Sequence, residues 1–405
     1  MSTTVNVRCA IAGGGPAGMM LGFLLARAGV DVLVLEKHAD FLRDFRGDTI
    51  HPSTLDVMAE MGLLDEFLAR PHDEVRELVA QVGAERVVLA DFRHVPARCK
   101  FLALMPQWDF LDFLARHGKR YPGFGLRMQA EAVGLIEEGG RVVGLRAATP
   151  QGALEIRADL VVGADGRHST VRRIAGLASD VLGAPMDVLW MRLPRRGDDP
   201  AATFGHAEAG RIFIMLNRGD YWQCAYVIAK GSFDDLKRGG LASLRTALVE
   251  LSPFLADRVA LLQTWDDVKL LTVAVDRLRT WHRPGLLCIG DAAHAMSPIG
   301  GVGINLAIQD AVATANRLAG RLLSGKVSQA DLASVQRRRE PPARRTQALQ
   351  LQIQDRIIRR VLGSRERLRP PLVLRLLQWL PVLRRIPARL VGIGFRPEHV
   401  RVPAA

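Results

Sequence analysis

The chain has 405 residues, 48% of them hydrophobic and 24% charged, enough to bury large cores and too long for one ordinary domain, so two globular lobes are expected. Its four cysteines, Cys9, Cys99, Cys224 and Cys288, lie far apart with no CxxC pair, which excludes a disulfide framework and a cysteine zinc site; no metal is expected, only buried reduced thiols. The formal net charge of +13 sits almost wholly in residues 331–405, where seventeen arginines face five acids without a base-reading motif or aromatic platform, so no specific nucleic-acid partner is expected.

The N-terminus, MSTTVNVRCAIAGGG, lacks a basic region followed by an apolar signal core, and no run of 18 uncharged apolar residues occurs, so a cytoplasmic protein is expected. Val5 to Ala12 is a short apolar run followed by Gly13, Gly14, Gly15, Pro16, Ala17 and Gly18, a GxGxxG pattern. A helical apolar stretch from Met19 to Ala28 closes at Gly29, and a second buried strand, Val32 to Leu35, ends at Glu36. The physics of that order is specific. Gly13 permits a tight turn, Gly15 lets a pyrophosphate approach the backbone at a helix N-terminus, and Gly18 allows close packing of helix on strand. Glu36, 18 residues past Gly18 and followed by Lys37, is placed to bind a ribose diol.

Arg46, in the loop before a helix over Thr54 to Met61, can neutralise a cofactor phosphate. Alternation over Leu78 to Val82 and at Val87 and Leu89 predicts antiparallel strands, and an amphipathic helix begins at Gln107 with Phe110, Phe113 and Leu114 inward. Val133 and Leu135, Val142 to Leu145 and Leu154 to Ile156 suggest a three-stranded meander; a further strand, Asp159 to Val162, leads into GADGRHSTVRR, where Asp165 and Gly166 end the strand and a helix opens at Ser169. Between Met186 and Val275 the segments Trp190 to Leu193, Arg211 to Leu216 and Trp222 to Ile228 read as a sheet with one wet face, interrupted by a single helix, Leu241 to Leu251.

The stretch LLCIGDAAHAMSPIGGVGIN, Leu286 to Asn305, then presents a strand ending in Gly290 and Asp291, a loop punctuated by Pro298, Gly300, Gly301 and Gly303, and a helix opening near Ile304. A carboxylate at a strand's end accepts hydrogen bonds from ribose or ribityl hydroxyls, and the first amides of a helix present partial positive charge to an anion.

GGGPAG near the start, GADG near the middle and GDAAHAMSPIGGVGIN two-thirds along resemble, at these spacings, the motifs of class A flavoprotein monooxygenases, the single-component aromatic hydroxylases typified by 4-hydroxybenzoate hydroxylase and the ubiquinone-pathway hydroxylases. The resemblance covers about residues 5–330. It implies an α/β FAD-binding fold carrying an inserted, mostly antiparallel β-sheet substrate domain and a C-terminal helical segment. The expected boundaries are 1–74, 101–180 and 276–330 for the FAD-binding domain, 75–100 and 181–275 for the substrate domain, and 331–405 for an arginine-rich tail.

Carried over by position, Gly13, Gly15, Pro16, Ala17 and Gly18 would cradle the FAD pyrophosphate, with Glu36 and Lys37 at the adenosine ribose. Arg46 and Gln107 would contact the phosphate and ribityl region, and the backbone near Val133 the adenine. Gly290 and Asp291 would meet the ribityl or phosphate part, Pro298 would lie against the isoalloxazine, and the amides of Gly303, Ile304 and Asn305 would face its pyrimidine end. Asp165 belongs to a motif linked to both FAD and NADPH. The implied reaction uses NAD(P)H and dioxygen to hydroxylate an apolar aromatic compound (a phenol, quinone precursor or polyketide-like molecule) through a flavin hydroperoxide.

No catalytic residue is firmly assigned; His51, His206, Tyr221 and Tyr226 are the substrate-side candidates for ionising a phenol. The halogenase signature WxWxIP is absent. A flavin-dependent reductase of a lipid-like substrate, without oxygen insertion, is the alternative, and a prenyl-protein carrier on the same fold is the non-enzyme one. The tail is expected to form short helices, cut at Gly363, Pro370, Pro371, Pro381 and Pro387, that bury apolar stripes (Leu349, Ile353, Ile357, Val361; Leu372, Leu376, Leu380) and leave arginines in water, with an anionic membrane or an acidic partner as its contact.

Overall fold

A computed structural model describes residues 3–42, 49–200 and 203–405, and Arg46 lies outside them. The chain opens with β1 (Thr3–Ala12), α1 (Pro16–Arg27) and β2 (Val32–Leu35), the two strands parallel with Ala12 opposite Leu35. Gly13 takes φ +108°, and a Cβ on Gly18 would lie 1.9 Å from the Gly13 carbonyl oxygen, so strand and helix meet at a distance only glycine permits. After α2 (Pro52–Glu60), strands β3 (Glu77–Val82) and β4 (Glu85–Asp91) leave for a second sheet; α3 (Gln107–Gly118) returns to pack on α1, and β5 (Phe124–Arg127) runs parallel to β2.

A meander of β6 (Glu131–Glu138), β7 (Arg141–Thr149) and β8 (Gly152–Gly163) follows. The two strands expected at Leu154 to Ile156 and Asp159 to Val162 are one 12-residue strand. It runs parallel to β1 along nearly its whole length, which carries it through the polar Arg157–Asp159 stretch; Asp159 answers that polarity by pairing with Arg8 of β1 at 2.8 Å. Past α4 (Thr170–Ile174), whose N-cap is Ser169, the second sheet is built from β9 (Met186–Pro194), β10 (Phe204–Glu208), β11 (Arg211–Asn217) and β12 (Tyr221–Ala229). Two helices follow where one was expected, α5 (Phe233–Arg238) and α6 (Leu241–Leu251). The chain re-enters the first sheet at β13 (Leu286–Cys288), ahead of the long helix α7 (Gly303–Leu323).

The first sheet runs β13, β8, β1, β2, β5, with β7 and β6 branching from β8; the second runs β9, β12, β11, β10, β3, β4. The expected wet face of the second sheet does not exist over its central strands. Met191, Met215, Trp222 and Tyr226 pack beneath Leu244 and Leu248 of α6, while Val188, Ile212, Ala225 and Val227 on the other face meet Ile299 of the first lobe and Val361 of the tail. Alternation within a strand cannot report a face that a distant segment covers. Below the sheet, the buried Asp199 accepts hydrogen bonds from Trp222 Nε1 at 2.9 Å and from the Arg258 guanidinium.

The tail begins inside a helix, α8 (Gln329–Ile353), that continues through a π-helical turn, Gln354–Ile358, into Arg359–Gly363. The helix ends at Gly363 and the next begins after Pro371, where cuts were expected, but the piece before Gly363 is long, running through Pro341 and Pro342, and Pro387 lies inside a helix. The buried side of the long piece is also out of phase with the expected stripe. Of Leu349, Ile353, Ile357 and Val361 only Val361 is buried, whereas Arg339, Ala343, Gln347, Gln350 and Gln354 are. Further on, α9 (Leu372–Trp379) and α10 (Arg385–Gly392) form a hairpin on β4, and Leu372, Leu376 and Leu380, expected inward, face out.

Arg339 is the arginine that departs furthest from the expected solvated tail. Its Nε donates to Asp310 of α7 at 2.9 Å and its Nη1 to the Arg396 carbonyl at 3.0 Å and to Glu398 at 3.3 Å. Asp310 also accepts from His294 Nε2 at 2.6 Å and from the Gly290 amide at 3.0 Å. Burial works to raise the Asp310 pKa, but His294 and Arg339 outweigh it and hold it below the usual carboxylate range. Arg339→Met is expected to destabilise the fold by about 3–5 kcal/mol, read as a lowered urea midpoint, because it strands a buried carboxylate. Since the folded pKa of Asp310 is depressed, its contribution is present above the unfolded value and lost as pH falls through the folded one. The wild-type midpoint should thus drop below about pH 4.

Candidate functional site

The ends of β1, β8 and β13 are neighbours in one parallel sheet, so the residues that follow them converge. A Cβ on Gly13 would fall 2.4 Å from the Ala164 carbonyl oxygen and 2.8 Å from Asp165 Cα, and one on Gly290 would fall 3.1 Å from Ala17 Cβ. GGGPAG, GADG and GDAAH thus meet at the N-terminus of α1. Ahead of that helix a Cβ on Gly15 would meet nothing within 4 Å, although its neighbours at Gly13, Gly14 and Gly18 are crowded. Pro16 occupies the first turn, and no side chain caps the helix. An open cradle above uncapped amides fits a pyrophosphate.

Glu36 closes one side of this cradle. It is buried, and its carboxylate accepts from the Gly14 amide at 3.2 Å and the His38 amide at 3.0 Å, which fixes its orientation. Lys37 beside it is exposed. The backbone that reaches Glu36 from β5 is Gln129–Ala130, the Ala130 amide donating to the Glu36 carbonyl at 2.9 Å; Gln129 holds φ +53°, alone among described non-glycine residues in positive φ. Val133 lies beyond, half exposed on β6. On the opposite side Asp291 approaches Arg167 at 3.7 Å. Asp165 is held locally: its oxygens accept from Ser169 Oγ and from the Val171 amide at 3.1 Å, supporting the Ser169 cap at the start of α4.

The Pro298 loop and the start of α7 form the second part. Val302 stands at the N-cap without a side-chain bond, and Leu306 is the residue whose amide first returns, to Val302 O; the amides of Gly303, Ile304 and Asn305 therefore point out of the helix end. The Asn305 side chain has a separate task. Its Oδ1 accepts from the His51 amide at 2.9 Å and Thr54 Oγ1 at 2.7 Å, and its Nδ2 donates to the Thr49 carbonyl at 3.0 Å, pinning the start of α2 against α7.

Two glutamines of α8 and one of the π-helical turn that continues it hold the loop from behind. Gln347 donates to the Ala295 carbonyl at 3.0 Å, Gln350 to Ser297 O at 3.0 Å and Ile299 O at 2.8 Å, and Gln354 to Ser297 Oγ at 2.7 Å. The sequence does carry a signal for them: amides at i, i+3 and i+7 within an arginine-rich helix form a polar stripe on one face.

The substrate-side candidates do not gather. His206 pairs across the sheet with Phe213, and Tyr226 packs with Phe213 too, so both lie on the α6 face, away from Pro298; burial raises the Tyr226 phenol. His51 is buried between the tail and the Pro298 loop, its Nδ1 2.7 Å from the Val391 carbonyl and its ring also against the Gly300 backbone, and burial pushes it down to about 4, which leaves it neutral. Tyr221 alternates with Trp222 and so faces the Ile299 side, its ring 3.7 Å beneath the Arg192 guanidinium. Gln107 opens α3 directly after Pro106.

Comparison with known proteins agrees with this geometry. A family described as the FAD binding domain matches residues 6–349. The chain is 33% identical over 343 residues to 6-methylpretetramide 4-monooxygenase of Streptomyces rimosus, covering 84% of this chain and 82% of that protein. It is 31% identical over 312 residues to rifampicin monooxygenase of Streptomyces venezuelae, covering 74% of this chain but only 61% of that protein. Among solved structures, PqsL, a probable FAD-dependent monooxygenase from Pseudomonas aeruginosa, superposes with a TM-score of 0.74 at 22% identity over 88% of this chain and 98% of its own. The anhydrotetracycline hydroxylase OxyS of Streptomyces rimosus gives 0.74 at 23% identity over 96% and 76%. At those identities the structures speak for the fold.

Substituting the glycines separates binding from folding. Gly15→Val puts two methyls into the open cradle and is expected to yield folded protein without bound dinucleotide. Gly18→Ala drives a methyl into the Gly13 carbonyl and is expected to impair folding itself. Absorbance of the purified proteins beyond 350 nm, read beside their melting curves, checks both; full flavin occupancy in Gly15→Val would remove the pyrophosphate from this cradle.

Proposed function

The chain belongs to the FAD-binding family of class A aromatic monooxygenases, and from that premise we propose that its substrate is an apolar phenol, quinone precursor or polyketide-like ring system. The enzyme is an FAD-dependent monooxygenase that draws on NAD(P)H. The observation that carries the substrate class is the face of the second sheet turned to the Pro298 loop: Val188, Trp190, Ile212, Ile214, Ala225 and Val227 make it apolar around Ile299. A small acidic substrate would need a cation at its centre; the nearby arginines sit at the edge, Arg192 over Tyr221 and Arg218 on Gln223 at 3.1 Å. A relative that acts on 6-methylpretetramide supports the same class.

Residues 1–74, 101–180 and 276–330 hold the cofactor in this reading, 75–100 with 181–275 roof the substrate, and 331–405 brace the loop between them. Gly13, Gly15, Pro16, Ala17 and Gly18 take the pyrophosphate, Glu36 the adenosine ribose with Ala130 beside it, and Asp291 the ribityl chain. FAD, when bound, supplies the redox chemistry: electrons from NAD(P)H and one oxygen atom of dioxygen to the substrate ring. The protein's share is placement and charge. The amides of Gly303 and Ile304, at the positive end of α7, would offer partial positive charge to a bound flavin, and the apolar sheet face would keep water from the site. Of the candidates on the second sheet, Tyr221 is the one on the substrate side, positioned at the edge of that face.

A panel of phenols and ring-fused phenols, scored for substrate-stimulated NAD(P)H oxidation with mass gain of one oxygen, tests the reading. Stimulation by small benzoates alone would sink the substrate class, and turnover without oxygen gain would favour reduction. The loop itself is tested by Gln350→Leu. That change leaves two buried carbonyls without their donor and is expected to lower turnover about ten- to hundredfold while flavin occupancy stays near wild type.

A further inference from the structure

From Arg367 to Pro397 the chain carries seven arginines and no acid. Within that stretch Leu372 is 65% exposed, Val373 58%, Trp379 66%, Leu380 50%, Val382 58% and Ile386 58%. These side chains fall on α9, on α10 and on the turn between them, and form the apolar ridge of the hairpin, with exposed Arg369, Arg385 and Arg389 beside them in sequence. Soluble surfaces rarely carry contiguous apolar area of this kind without an occupant.

The hairpin is firmly seated underneath. Gln378 Nε2 donates to the Val88 carbonyl of β4 at 3.3 Å, and Ala388 is buried against Ala90, Phe92 and Val95. Arg384 Nε donates to the Leu377 carbonyl at 2.8 Å, tying the two helices together. The ridge is therefore the outer side of an anchored element, and its exposure does not come from fraying.

We propose that this hairpin docks the enzyme on an anionic phospholipid surface, lying in the plane of the interface with the ridge among acyl chains and the arginines at phosphate depth. No described helix is long and apolar enough to cross a bilayer, so the contact is in-plane. Charge decides among occupants. A second copy of this chain, docked face to face through the ridge, sets arginines against arginines with no acid within the patch to answer them. An acidic protein would match the arginines but leaves a ridge of leucine, valine, tryptophan and isoleucine to be met, whereas an anionic bilayer supplies both layers at the matching depth.

The position also connects to the site. The inner end of α10 brings the Val391 carbonyl to His51 at 2.7 Å and the Val391 side chain to within 3.9 Å of where a Gly300 Cβ would be. An apolar substrate drawn from the bilayer would thus arrive beside the Pro298 loop; this use of the surface rests on the proposed substrate class, but docking does not.

Sedimentation of the FAD-loaded enzyme with vesicles, in the absence of any aromatic substrate, tests docking alone. Binding is expected to vesicles of phosphatidylcholine mixed with phosphatidylglycerol, to be weak on phosphatidylcholine alone, and to fall with salt. Trp379→Ser combined with Ile386→Ser, and separately Arg385→Glu combined with Arg389→Glu, are each expected to weaken binding by about tenfold or more, with flavin occupancy and basal NAD(P)H oxidation unchanged. Equal sedimentation with both vesicle types, wild-type binding by either double variant, or a dimer in sedimentation velocity that Trp379→Ser dissociates would each overturn the proposal. Capture of an acidic protein through the ridge without vesicle binding would overturn it as well.

Discussion

A single buried carboxylate holds the molecule's parts in relation to one another. Asp310, fully buried on α7, receives the Gly290 amide, the His294 imidazole and the Arg339 guanidinium, and Arg339 passes the connection on to Arg396 and Glu398. An ionised group at such depth is tolerable only with every partner in place, so the geometry of one partner constrains the others. Gly290, at φ +60°, presents its amide there, and a Cβ on it would lie 3.1 Å from Ala17 Cβ at the start of α1. The cofactor end of the site and the far end of the chain are thereby parts of one electrostatic arrangement.

The same economy appears in the Pro298 loop. A loop built from Ser297 to Gly303 between two lobes has carbonyls that no strand or helix satisfies, and burying them without donors would be costly. Gln350 of α8 supplies the donor for the Ser297 and Ile299 carbonyls and Asn305 that for Gly301, while Gln347 ties the neighbouring Ala295 carbonyl and Gln354 the Ser297 hydroxyl. This explains why an arginine-rich helix buries amides where leucines would be expected, and why it runs on through two prolines: its packing face is chosen by the loop it serves.

Sidedness of the second sheet is what sorts the polar residues near the substrate. Successive residues of β12 point to opposite faces, so Tyr226 and its partner Phe213 belong with α6 while Tyr221 and Gln223 belong with the loop. Once the faces are distinguished, two of the four residues suited by chemistry to ionise a phenol, His206 and Tyr226, fall on the α6 side. What remains opposite Pro298 is mainly hydrocarbon, an environment suited to excluding water and to holding ring systems by area rather than by charge.

Local patterns determined much of the first lobe. Glycine spacing, an apolar strand on either side and an acid at the second strand's end dictate a βαβ unit with a phosphate cradle, because tight turn, close packing and anion approach are properties of neighbouring residues; the GADG and GDAAH segments add strand ends of the same kind. The class of cofactor was legible through those three motifs together. Tertiary structure alone decided what depends on partners far apart in sequence. It merged two predicted strands into β8 because β1 grips both, and it covered the expected wet face with the tail and the Pro298 loop. It tied Asp165 to the start of α4, and it buried Arg339 while leaving Leu372 and Trp379 in solvent. Periodicity states that a helix has an apolar face, but only the surface it lands on decides which face is covered.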